Sequence, residues 1–242
     1  MQKLALALTL LLLDCDWPPW PGTFLGAGIS GLCGTDWTPI ITDAHGVAPL
    51  KSVYVTDSAI YAVGEKGQIV VVKHGEAPFK CALSNADSLT SISIFDTNVL
   101  MSGLAGIYET STTNLCSQST ITLSPIYTMP NCYDTAISEG TALVACNQNI
   151  IYKTGSIKDW TKYSVSSVSY RGAIFTNTEA FVGADNRSIY RASLSDLGKW
   201  AQVTDSGLLL IVKNIWYDEN DTLYLVGNAG LFSMYQIAGN KW

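Results

Sequence analysis

Tryptophan recurs at a fixed stride in the second half of this chain: Trp160, Trp200 and Trp242 stand 40 and 42 residues apart. Steps of similar length backward from Trp160 reach Thr120-Ile121, Phe79 and Trp37, and the 205 residues between Trp37 and Trp242 make five strides of 41. A period of this size restricts the chain to repeat architectures, in which each unit hides its apolar faces against its neighbours.

Every stride carries the same pattern. A second strand running into a Gly- or Asn-bearing turn spans residues 60–67, 99–106, 143–149, 180–187 and 223–230, and third strands open at Gln68, Ile107, Ile150, Ser188 and Leu231. Gly and Asn tolerate the positive φ that tight hairpins require. First strands are expected near residues 52, 91, 133, 171 and 213, and outer fourth strands near 37, 79, 120, 160 and 200. Four short strands in about 40 residues match a propeller blade; a β-solenoid is the second choice. The expectation is an all-β, five-bladed β-propeller of four-stranded antiparallel blades over residues 37–242. Its last blade lacks an outer strand, and Trp37-Thr-Pro-Ile-Ile41 would supply it and close the ring, leaving no sheet edge.

Two segments carry a family resemblance: Ile151-Tyr-Lys-Thr-Gly-Ser-Ile-Lys-Asp-Trp160 and Ile189-Tyr-Arg-Ala-Ser-Leu-Ser-Asp-Leu-Gly-Lys-Trp200. The repeats resemble degenerate BNR/Asp-box propeller units, as in sialidases, sortilin-type domains and photosystem II assembly factors. Ser193, Asp196, Gly198 and Trp200 echo the box Ser-x-Asp-x-Gly-x-Thr-Trp with altered spacing, and the other units lack it. The resemblance implies architecture; propellers host enzymes, lectins and scaffolds alike.

Residues 1–21 read as a secretory signal, with Lys3 before an apolar run of ten at residues 4–13. Such a run spans roughly 15 Å as a helix, too short for a bilayer. The alternative is an N-terminal core segment. Residues 22–36 form a Pro/Gly-rich leader. Export agrees with six cysteines, of which Cys132 and Cys146 flank the turn at Glu139-Gly140 and would meet across a hairpin as a disulfide. The partners of Cys33, Cys81 and Cys116 are not fixed by spacing.

The chemistry is thin. A formal charge of -6 with no Lys/Arg run removes a nucleic-acid footprint. Gly26-Ala-Gly-Ile-Ser-Gly31 matches a dinucleotide fingerprint, but Trp17-Pro-Pro before it and Gly34-Thr-Asp-Trp-Thr-Pro39 after it supply neither the strand nor the helix that pyrophosphate binding needs. No cofactor is expected, and two histidines make a zinc site improbable. Asp134, Asp218, Glu219 and Asp221 are the carboxylates a hydrolase could use, but Arg171, Arg187 and Arg191 all fall in one repeat, which excludes a sialidase clamp.

Two constellations remain. Lys51, Arg171 and Lys213 open three first strands and would ring one channel mouth as an anion seat; the plainer account is three solvated charges. Asn147, Asp185, Arg187 and Asn228 lie in the second-to-third strand turns, and Trp216 and Tyr217 could add sugar-stacking rings, unless such aromatics simply pack between blades. Tyr108, Tyr152, Tyr190 and Phe232 are assigned to structure. The expected function is a secreted, non-catalytic module recognising a glycan or glycoprotein. A protein-interaction or assembly scaffold is the alternative, and a glycoside hydrolase-like enzyme the second alternative.

Overall fold

The computed structural model describes residues 47–155, 159–203, 211–218 and 220–239. The signal and leader, Cys15 and Cys33, the closing segment at 37–41, Glu219 and Trp242 lie outside the described residues.

All regular structure here is strand, apart from two short 3-10 turns. The first sheet runs β1 (Leu50–Val55), β2 (Ala59–Gly64), β3 (Gln68–Lys73) and β4 (Phe79–Leu83). The second holds β5 (Leu89–Phe95), β6 (Asn98–Gly103) and β7 (Gly106–Ser111). Two short strands follow, β8 (Thr120–Ile121) and β9 (Tyr127–Thr128). A six-stranded sheet contains β10 (Cys132–Ser138), β11 (Thr141–Thr154), β12 (Thr161–Phe175), β13 (Glu179–Ala184), β14 (Ile189–Ser193) and β15 (Ala201–Gln202). The last has β16 (Val212–Tyr217), β17 (Thr222–Gly227) and β18 (Phe232–Gln236).

The six-stranded sheet is two meanders sharing β12. Residues 161–164 of β12 pair with residues 149–152 of β11, whereas residues 170–175 pair with β13. Gln148 (φ 60) and Ser167 (φ 68) sit where β11 and β12 change partners.

Period-two alternation explains the packing. On β6, Val99 and Met101 enter a core shared with the first sheet, while Leu100 enters one shared with β10 and β11. On β13, Ala180 and Val182 face β11 and β12, while Phe181 faces β16 and β17. The second strands of the first four meanders are thus buried on both faces, and the four cores lie between consecutive meanders. The first strands form the spine: β5 packs on β1, β10 on β5, β12 on β10 and β16 on β12. That face-to-face, radial stacking is propeller-like.

Several expectations need correction. Thr120-Ile121 was expected to be the outer strand of the second unit; as β8 it instead runs parallel to β4, at the edge of the first sheet. Tyr127–Thr128, as β9, takes the outer place beside β7. The cause is a disulfide, Cys81–Cys116, which fastens the segment after β7 to β4 and carries the chain across that edge. Phe232 does not share the tyrosines' setting either. It faces Val226 in the register that Ile69, Ile107 and Ile189 occupy against Val63, Ser102 and Gly183, and it is 63% exposed. The Cys132–Cys146 disulfide is present, its residues directly opposed in the β10–β11 ladder.

Candidate functional site

Seven of the nine residues singled out for binding gather at one end of the strands. There each first strand begins and each second strand ends, so Leu50 faces Gly64, Leu89 Gly103, Cys132 Cys146, Tyr170 Ala184 and Val212 Gly227. A repeated hydrogen bond closes this end. The backbone N–H of the first turn residue donates to the carbonyl just before the first strand: Glu65 to Pro49, Leu104 to Ser88, Asn147 to Asn131, Asp185 to Ser169 and Asn228 to Ile211.

The ladders slip at the same place in all five first strands. Two residues of the first strand face one of the second, leaving Lys51, Thr90, Tyr133, Arg171 and Lys213 as the extra residue of a β-bulge. A bulge bends the strand and re-aims a side chain. The three cations read from the sequence are therefore three of five equivalent bulge residues. The signal that could have revealed the bulges is a polar pair, or a ring and a carboxylate, directly after the opening residue: Lys51-Ser52, Thr90-Ser91, Tyr133-Asp134 and Lys213-Asn214.

Just inside the bulges runs a polar seam between sheets. Ser52 Oγ accepts from the Ile92 N–H at 3.4 Å, Ser91 Oγ from the Thr135 N–H at 3.2 Å, and Asp134 Oδ2 from the Ala173 N–H at 2.9 Å. Asp134 Oδ1 also accepts from the Ser91 hydroxyl at 2.7 Å. The next step lacks an acceptor because the residue is Gly172; a Cβ there would stand 2.9 Å from Ile215 N. Ile215 instead donates to the side chain of its own neighbour, Asn214, at 2.8 Å. Asp134, a candidate acid or nucleophile on paper, is thus a buried bracket between three meanders.

The remaining groups are placed as follows. Arg171 lays its guanidinium over the Tyr133 ring, 3.8 Å from the centroid, and its Nε is buried with no hydrogen-bond partner. Lys51 pairs with Glu65 at 3.3 Å. Lys213 is exposed, and no ion pair to it occurs among the described residues. Asn147 accepts from the Ser169 hydroxyl at 2.5 Å and Asp185 from the Ser169 N–H at 2.9 Å. Arg187 (φ 66) and Asn228 are exposed in their turns.

Trp216 and Tyr217 are not part of this group. They lie at the far end of β16, opposite Tyr224 and Leu223, roughly 10 Å from Lys213 at the rise of an extended strand. Trp216 stacks on Tyr224, with ring centroids 5.0 Å apart. Asp218, beside them, accepts from the N–H groups of Asn220 (2.8 Å) and Thr222 (3.1 Å) and from the Tyr224 hydroxyl (3.3 Å), which makes it the cap of a hairpin. A cavity of about 510 Å³ also opens at that far end, between the first two sheets, over Tyr61, Lys73, Phe79 and Cys116.

Burial shifts the core tyrosines. Tyr108 is pushed up to about 12, chiefly by burial and then by its hydrogen bond to Asp87, 2.8 Å away. Tyr170 rises for the same first reason, with Tyr190 and Tyr163 adding to it. Among the described residues no group of three or more His, Cys, Asp or Glu could hold a metal, and no helix is long and apolar enough to cross a membrane.

No protein-family model and no curated protein matches the sequence. Solved structures do match in fold. The WD40 β-propeller domain of Doa1 superposes with a TM-score of 0.64 at 12% identity, over 81% of this chain and 69% of that one. The computationally designed protein Ika8 superposes with a TM-score of 0.62 at 11% identity, over 80% of this chain and 60% of that one. The chain thus spans less than two thirds of the designed protein's length. At such identities the likeness concerns the fold alone: an all-β, propeller-like arrangement.

Proposed function

We propose that the chain is a non-catalytic protein-interaction scaffold, a five-bladed propeller whose bulged end is the recognition face. The observation that carries this reading is the fate of the polar groups. Asp134 and Asp218, the described carboxylates best suited to chemistry, are held by backbone and hydroxyl donors as structural brackets. The turns beside the bulges, by contrast, project in the first four meanders from strands buried on both faces, and loops on a rigid repeat array are where such folds bind. The likeness to a WD40 domain supports the architecture this role requires. Glycan recognition is the weaker reading, because Trp216 and Tyr217 lie away from the polar turns they would have to complement.

In this reading residues 37–41 form the missing outer strand beside β18, and the ring closes between the last sheet and the first. The apolar face on which Phe232 and Met234 stand exposed is the one such a closure would cover, and Ala62 (4%) and Val70 (1%) of the first sheet, outside the core that sheet shares with β6, are the residues that would meet it. The kinship with Asp-box repeats belongs to the same proposal: Asp196 accepts from the Gly198 N–H at 3.2 Å in the turn before β15, where that box would sit. So does export to an oxidising compartment, with which the two disulfides agree.

Cross-linking in the native host followed by size-exclusion chromatography tests the scaffold: a stoichiometric partner, retained in the presence of competing sugars, is expected. Isolation of the chain alone, or release of its partner by sugars, would overturn it. Deleting residues 37–41 tests the ring. A fall in Tm of about 10 °C or more is expected, several kcal/mol at this chain length, and an unchanged Tm would leave the ring without its clasp.

A further inference from the structure

We propose that the row of bulge residues Lys51, Tyr133, Arg171 and Lys213 is a docking site for an acidic, carboxylate-bearing segment of a partner protein. This deepens the scaffold reading and rests on it. Four contacts set the row in register: the hydrogen bonds that the Ile92, Thr135 and Ala173 N–H groups donate to Ser52, Ser91 and Asp134, and the 2.9 Å approach of a Gly172 Cβ to the Asn214 Cα. Each joins the residue just past one bulge to the next meander, so the bulge residues stand side by side in chain order along one rim. Thr90, the fifth, is occupied internally, donating to the Cys132 carbonyl at 2.6 Å.

Among the described residues the bulges and turns at this end carry Lys51, Lys66, Arg171, Arg187 and Lys213 against Glu65, Asp87, Asp134 and Asp185, five cations to four carboxylates, although the whole chain carries -6. The nearby carboxylates are engaged elsewhere: Asp134 by Ser91 and Ala173, Asp185 by the Ser169 N–H, and Asp87 by the Ala105 N–H and Tyr108. Glu65 pairs with a rim cation, Lys51, at 3.3 Å. Arg171 contacts no carboxylate among the described residues. The face of Tyr133 fixes its guanidinium plane, a preorganised fork for a carboxylate. Lys213, one strand further on, adds a hydrated point charge.

Cations distributed along a row on successive strands suit carboxylates spaced along an extended peptide, whose like-facing side chains recur about every 7 Å. A lone phosphate would reach only one or two of them. On an otherwise acidic molecule such a patch also steers the partner and sets its orientation.

Fluorescence anisotropy with a labelled ten-residue Asp/Gly peptide tests the site, with the Asn/Gly peptide as control and inorganic phosphate as competitor. Salt-sensitive binding of the acidic peptide alone is expected. Lys213→Gln and Arg171→Gln should each weaken it roughly tenfold, and Arg171→Lys less, since charge survives while the fork is lost. Lys213 is exposed, so its variant keeps the test valid should Arg171→Gln destabilise the fold. Equal binding of both peptides, full affinity in Lys213→Gln and Arg171→Gln, or displacement by phosphate at concentrations matching the peptide's own Kd would each overturn the proposal. Repeating the partner capture with the double variant separates the two readings. A partner still captured leaves the scaffold standing without this site. Acidic-peptide binding by a chain that captures no partner leaves the site without the scaffold.

Discussion

The second and last sheets are built on the same strand register and differ in what covers them. Ile107 on β7 is fully buried, as are Ile69 and Ile189 at the same position of β3 and β14; Phe232 on β18 is 63% exposed and Met234 52%. Opposite them, Val63 and Ser102 are fully buried, whereas Val226 is 36% exposed. The last sheet therefore presents an apolar face without a neighbouring sheet among the described residues. Its alternation is that of a sheet meant to be covered on both sides. In a repeat array each interface is a separate energetic step, and on this face the described residues supply none.

The polar seam gives the largest contrast. Asp134→Ala removes the acceptor of the Ser91 hydroxyl and the Ala173 N–H at once, inside a region only 7% exposed at Asp134. A loss of about 3 kcal/mol is expected from two orphaned donors. Asn214→Ala, at the equivalent place in β16, removes only the acceptor of its own neighbour's N–H and should cost about 1 kcal/mol or less. Urea denaturation of both variants reads the difference; equal losses would mean that the seam does not distinguish the interior sheets from the last one.

Next comes the apolar contrast itself. Ile189→Ala should cost about 2–5 kcal/mol as a buried large-to-small change. Phe232→Ala should cost about 1 kcal/mol at most, since a ring this exposed has little area left to lose. That small loss holds while the face stays uncovered; a loss at Phe232 as large as that at Ile189 would break the comparison and is what the proposed ring closure, which sets the first sheet on that face, requires.

Much of this was legible from residue types. The 41-residue stride and the turn residues located the meanders, and the Cys132–Cys146 disulfide followed from two cysteines flanking one turn. What stayed hidden depends on more than one strand. The bulges shift partners without changing strand length, so Lys51, Arg171 and Lys213 could be aligned but not recognised as bulge residues, nor joined to Tyr133. Cys81–Cys116 spans two meanders, and it moved Thr120-Ile121 to a sheet edge that local pattern could not anticipate. Trp216 and Tyr217 were read by type; the register of β16 against β17 sends them to the other end. Asp134 is the clearest case. Its chemistry allowed catalysis, and only the positions of Ser91 and Ala173 turn it into a bracket.

The smallest expected effect is alkaline. Tyr108 is fully buried in the first core and is held up to about 12 by burial, with Asp87 against its hydroxyl. Tyr224, on the uncovered face of the last sheet, is also raised, first by burial and then by Asp218. Each folded-state value lies above the ordinary tyrosine value near 10, so the neutral form is favoured by folding. The stability from these groups is complete below about pH 10 and is lost as pH climbs through the folded-state value, because the unfolded chain ionises first. For Tyr108 that window is about pH 10 to 12. Absorbance at the phenolate band should find Tyr224 ionising in the folded protein while Tyr108 stays silent until unfolding. In Tyr108→Phe, part of the loss of stability between pH 10 and 12 should disappear. A wild-type Tyr108 that titrates near pH 10 without unfolding would remove the difference between the sealed and the uncovered sheet at the level of single hydroxyls.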